Sequence, residues 1–99
     1  MTTTTKRKAL SEEEITQALQ TLSGWAVKEG KLHKQFTFKS FAAALGWMVS
    51  VGIEADKMDH HPEWSNVYNR VTVNLTTHDL NTISSWDVTL AQKMDTLAR

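Results

Sequence analysis

The sequence predicts an α+β fold. It is a single domain in the order α-β-β-α-β-β-α, with a four-stranded antiparallel sheet and its helices packed on one face. Three observations lead there. Two Ser-x-x-acid patterns open stretches with helical spacing of apolar residues. Two pairs of strand-like runs are each broken by a short turn, which makes hairpins and so antiparallel pairing. The chain has 99 residues, enough for one small domain with a thin core.

The first helix is expected over residues 12–22. Ser11 with Glu14 forms a capping box, and Glu12 to Glu14 suit the positive end of the helix dipole. Ile15, Ala18, Leu19 and Leu22 recur at helical spacing, and Gly24 stops the run. Trp25 to Glu29 and Leu32 to Phe38 then bracket a turn at Gly30-Lys31. Trp25 and Val27 share one face, and Leu32, Phe36 and Phe38 share one face of the partner strand.

Ser40 caps the second helix, which runs to about Lys57 on Phe41, Ala44, Leu45, Met48, Gly52 and Ala55. Gly46 and Gly52 cost about 1 kcal/mol each against alanine in a helix interior. Their presence suggests that another backbone, most plausibly the sheet, packs closely there. Pro62 ends any helix and biases the residue before it towards extended backbone. Trp64 to Tyr68 and Arg70 to Thr77 read as the second hairpin, with Val71, Val73 and Leu75 alternating with polar neighbours. The last helix is framed by Ser84 and Asp87. It carries two apolar stripes, Leu90/Met94/Leu97 and Val88/Ala91/Ala98. One stripe can face the sheet, and the second suggests self-association.

Composition removes several classes of function. Eleven basic and eleven acidic residues cancel, which leaves little electrostatic pull on nucleic acid. The longest mostly apolar stretch, Phe41 to Ile53, is shorter than the roughly 20 residues of a membrane-spanning helix. There is no cysteine, so disulfides and thiolate chemistry are excluded, and a reducing, cytoplasmic location is favoured. Residues 1–10 read as a flexible, Thr-rich and then basic tail, with the domain over 11–99. A remnant of an organelle-targeting segment is the other reading of the tail.

Four histidines are present, His33, His60, His61 and His78. His33 lies on the strand parity opposite Phe36 and Phe38 and reads as a solvated residue. His60-His61 and His78 lie at nearly equal spacing on either side of Asn69. A hairpin about Asn69 therefore brings them to one end of the sheet. Asp56, Asp59, Asp79 and Asp87 accompany them. A histidine cluster with carboxylates suits either a divalent metal or metal-free proton transfer near neutrality. Asp87 is equally explained as the acid of a capping box. Asp56 fits a solvated helix face, and Trp64 fits either the core or a wall on which a flat ligand stacks.

Four segments together carry a resemblance. They are Glu54-Ala55-Asp56-Lys57-Met58-Asp59-His60-His61-Pro62-Glu63-Trp64, Asn66-Val67-Tyr68-Asn69, Leu75-Thr76-Thr77-His78-Asp79 and Asp87-Val88. They resemble the pterin-4a-carbinolamine dehydratase family, known in animals also as the dimerization cofactor of a homeodomain transcription factor. The resemblance extends from the first helix to the last.

It implies elimination of water from a 4a-hydroxytetrahydropterin to give the quinonoid dihydropterin, in recycling of the pterin of aromatic amino acid hydroxylases. The pterin is the substrate, and the family needs no metal or other cofactor. His60 and His78 match the family's acid/base histidines, His61 a substrate-holding neighbour, and Asp87 a late aspartate that orients an imidazole. Asp59 and Trp64 match residues around the pterin, and Thr77 lies where backbone groups meet the pterin's amide edge. Asp56 stands where the family often has Glu, and Trp86 where animal members carry Arg. The family also implies a homodimer or homotetramer built through helical faces. The alternative function is a protein-binding or assembly module on the same fold with little catalytic role.

Overall fold

The computed structural model describes residues 7–99. The capping boxes act as the sequence requires. Ser11 accepts from the Glu14 N–H while Glu14 accepts from the Ser11 N–H, which opens helix α1 at Glu12–Leu19. Gly24, at φ 86°, turns the chain into strand β1 (Ala26–Lys28). Strand β2 (Lys31–Thr37) follows a two-residue turn at Glu29-Gly30, one residue earlier than expected. Both turn residues have positive φ, 53° and 77°. That is the primed geometry whose twist matches a hairpin, and Gly30 takes its second position without steric cost.

Ser40 caps helix α2 (Phe41–Met58) by accepting from the Ala43 N–H. Strands β3 (Glu63–Val67) and β4 (Arg70–Leu75) form the second hairpin around Tyr68-Asn69. Strand β4 ends two residues sooner than expected. Thr77 leaves the ladder to pair with Thr82, closing a loop around a short 3-10 turn at His78–Leu80. Ser84 and Asp87 form the second capping box, and helix α3 spans Ser85–Leu97.

The strands lie in the order β1-β2-β4-β3, all neighbours antiparallel. One face carries Leu32, Phe36, Val71, Val73 and Leu75, all buried under the helices. The other face is polar, and His33 there pairs its Nδ1 with Asn74 at 2.9 Å. Trp47 links the layers. Its ring meets Phe36, Phe38 and Trp64 at 4.5, 5.1 and 6.0 Å, and its Nε1–H donates to the Met94 carbonyl on α3.

Three expectations change. Gly46 and Gly52 are not pressed against the sheet, for a Cβ on either would meet nothing within 4 Å. The sheet-facing stripe of α2 is Ala44, Trp47, Val51 and Ala55. Helix α3 spends both stripes on its own chain, with Leu90, Ala91 and Met94 buried and Val88 and Ala98 packed beside them; only Leu97 stays exposed. The unpartnered apolar row is instead on α2, where Phe41, Leu45, Val49 and Ile53 are 47%, 47%, 57% and 54% exposed. Of the expected tail, residues 1–6 lie outside the described residues. Residues 7–10 are held: the Ser85 N–H donates to the Lys8 carbonyl and the Leu10 N–H to the Ile83 carbonyl.

Leu90→Ala removes a fully buried side chain from α3. It is expected to lower the unfolding free energy by about 2–5 kcal/mol, read as a lower urea midpoint at unchanged slope.

Candidate active site

The end of α2 starts the site. Asp59 sits in the left-handed region (φ 52°, ψ 43°), a conformation Asp tolerates better than most residues. The His60 N–H closes back on the Ala55 carbonyl, a Schellman-type end. Pro62 then commits the chain to β3. On the other flank β4 runs out to Thr77 and His78. Because β3 and β4 pair from Glu63↔Asn74 to Val67↔Arg70, both flanks emerge at one sheet end. They enclose a cleft of about 260 Å³ lined by Asp59, His60 and His61 on one side and Thr77, His78 and Asp79 on the other.

Each of the three histidines is tied by Nε2 to its own carboxylate. His60, 6% exposed, meets the fully buried Asp87 Oδ1 at 2.6 Å. His78 meets Glu63 Oε2 at 2.7 Å, and His61 meets Asp56 Oδ1 at 3.3 Å, both at the exposed rim. An acceptor at Nε2 fixes the tautomer and leaves Nδ1 as the nitrogen that no carboxylate occupies. Asp87 is held in turn. Its Oδ2 accepts from Thr77 Oγ1 and from the Ser84 N–H, both at 2.8 Å. Asp87 thus fills both roles left open for it, helix cap and imidazole partner.

Most of the expected site residues come together. His60, His61, His78, Asp59 and Thr77 line the cleft, Asp87 lies beneath His60, and Asp56 reaches the rim through His61. The shorter side chain at Asp56 still contacts that imidazole. Trp64 does not line the cleft; its ring packs against Trp47 in the aromatic cluster. Trp86 stands edge-on to His60, with centroids 5.9 Å apart and planes at 87°. Among the described residues no three His, Asp or Glu side chains converge as metal ligands.

Sequence reasoning missed Glu63, Lys31 and Arg7. Glu63 bridges Lys31 Nζ at 2.6 Å and His78. The Lys31 ammonium first, and His78 second, hold its carboxyl below the ordinary value of 4.5. Strand parity could have found it, since Glu63 must lie opposite Trp64 on the polar face. Arg7 had no such signal, for its partners are 52 and 72 residues away.

The chain is thus an α+β domain with carboxylate-paired histidines around one cleft. The chain belongs to the pterin 4 alpha carbinolamine dehydratase family, whose pattern matches residues 8–97. It is 60% identical over 79 residues to a provisionally named pterin-4-alpha-carbinolamine dehydratase of Jannaschia sp. (strain CCS1), covering 78% of this chain and 81% of that protein. It is 51% identical to one of Solibacter usitatus, similarly named, across 90% and 94% of the two chains. The crystal structure of a transcriptional coactivator/pterin dehydratase from Brucella melitensis superimposes with a TM-score of 0.89 at 41% identity, covering 93% of this chain and all of that one.

The Glu63 bridges set a pH dependence. Its carboxyl titrates lower in the folded chain than in the unfolded one, so its stabilising effect is present above about 4.5 and is lost as pH falls through the depressed folded value. Glu63→Gln is expected to flatten this part of the acid limb by lowering stability slightly near neutrality, a small effect because the pair is exposed, while leaving stability at the acid end almost unchanged. Urea midpoints measured from pH 6 to pH 3 check this.

Proposed function

We propose that the protein is a cytoplasmic dehydratase that eliminates water from a 4a-hydroxytetrahydropterin by histidine general acid/base catalysis. The observation that carries this reading is the buried His60–Asp87 pair at 2.6 Å, set in a cleft whose open rim holds His78 and His61. Family membership supplies the substrate class.

The reaction breaks the C4a–O bond and the N5–H bond and forms C4a=N5. The hydroxyl leaves with its bonding electrons and takes one proton to become water. His78, at the exposed rim, is suited to give that proton where the water departs. His60 takes the N5 proton on Nδ1, and Asp87 at Nε2 stabilises the imidazolium that forms. Glu63 at Nε2 favours the protonated form in which His78 begins the step, and His78 ends it neutral. His61, Asp59 and Thr77 hold and orient the pterin. The product is the quinonoid dihydropterin, which returns to the pterin pool of aromatic amino acid hydroxylases. The reading requires no metal and no cofactor besides the substrate.

His60→Ala and His78→Ala are each expected to lower kcat by about 10²- to 10⁴-fold in a stopped-flow dehydration assay, with the circular dichroism spectrum unchanged. Full activity in both variants would overturn the mechanism. A folded wild type that gives no acceleration would instead favour the protein-binding module.

The same reading expects a homodimer or homotetramer, and the exposed row Phe41, Leu45, Val49 and Ile53 favours α2 as the contact face. Contiguous apolar rows of this kind mark association surfaces, and the open space over Gly46 and Gly52 admits a close neighbour. Val49→Glu is expected to shift sedimentation velocity towards the monomer, and an unchanged sedimentation coefficient would reject α2 as the contact.

A further inference from the structure

We infer that Arg7 is a positioning residue of the cleft, an inference that rests on the dehydratase reading for its kinetic half. One guanidinium touches the immediate neighbours of three residues in the acid–base machinery. Its Nη2 donates to the Asp59 carbonyl at 2.8 Å, and Asp59 precedes His60. Its Nη1 donates to Asp79 Oδ2 at 2.9 Å, and Asp79 follows His78. Its Cζ lies over the Trp86 ring, 4.4 Å from the centroid, and Trp86 precedes Asp87 and stands edge-on to His60.

The two bridges fall on opposite walls of the cleft. Asp59 belongs to the end of α2 and Asp79 to the 3-10 turn after β4, so Arg7 adds a bridge between the two walls beside the links made by Glu63 to His78 and by Asp87 to His60 and Thr77. The arginine therefore helps to set the span between the segments that carry His60 and His78. A planar fork can hold two acceptors at a fixed separation and stack at the same time, which an ammonium cannot. The Nε–H of Arg7 is buried with no partner among the described residues. The backbone supports the bridge independently, since Lys8 and Leu10 pair with the chain around Ser84, delivering Arg7 to the rim.

The span matters because a displacement of about 1 Å between reacting groups can cost about 10²-fold in rate. The experiment compares wild type, Arg7→Ala, Arg7→Lys and Asp79→Ala by stopped-flow dehydration and by long-range ¹H–¹⁵N spectra of the histidine rings. Lys8→Ala is the control, since it keeps the backbone pairing and removes only the side chain bonded to Glu14.

Arg7→Ala is expected to lower kcat about 10- to 100-fold, with kcat/KM falling equally. It should also move the ring signals of both His60 and His78. Arg7→Lys should remain impaired, Asp79→Ala should move the His78 signals alone, and Lys8→Ala should match wild type. Unchanged kcat and ring signals in Arg7→Ala overturn the inference. So does a loss that the unfolded fraction under assay conditions accounts for, or a full recovery in Arg7→Lys. If wild type itself gives no acceleration, the dehydratase reading has failed, and the ring signals still decide whether Arg7 positions the histidines.

Discussion

The Asp87 carboxylate is the point on which the rest of the structure depends. It is fully buried, and it receives the Ser84 N–H, the Thr77 hydroxyl and the His60 imidazole. Those three donors come from the entry to α3, the end of β4 and the exit from α2. Hydrogen-bond accounting then fixes the remaining protons. Thr77 spends its hydroxyl proton on Asp87, so Ser84 Oγ donates to Thr77 Oγ at 2.5 Å and accepts from the Trp86 N–H. A buried carboxylate without such donors would be strongly unfavourable. With them, and at the positive end of a helix, it is well satisfied. The device that starts a helix is thus also the device that orients the buried histidine.

The three histidine–carboxylate pairs differ mainly in their contact with water. Attraction between charges grows as the surrounding dielectric falls, while rim pairs are weakened by solvent and salt. His60–Asp87 lies inside, whereas His61–Asp56 and His78–Glu63 lie at the surface. One chemical motif thus occurs in a sheltered and in an exposed setting within a single cleft.

Much of the fold was legible because its signals are local. Ser11 with Glu14 and Ser84 with Asp87 announced their helices, and the alternation of Val71, Val73 and Leu75 announced the buried strand. The equal spacing of His60-His61 and His78 about Asn69 was enough to place them at one end of the sheet. The buried side of α2 was not legible. Apolar residues run nearly all round that helix, so periodicity could not tell Ala44, Trp47 and Val51 from Phe41, Leu45 and Val49. Trp64 was ambiguous because an aromatic at the sheet end satisfies either a core or a ligand wall. Glu63 was overshadowed by the histidines beside it. Arg7 was illegible in principle, since a basic residue in a polar segment shows nothing until its distant partners are brought to it.

The pairing of the Arg7 segment with the chain around Ser84 also bears on synthesis. A ribosome releases Arg7 early and Asp59, Asp79 and Trp86 much later. The strand order adds to the delay, because β2 must wait for β4 across the whole of α2. Contacts of such long sequence separation form late and slowly. The cleft therefore cannot close on a nascent chain still missing its last third, and residues 7–10 have no berth until α3 has begun to emerge.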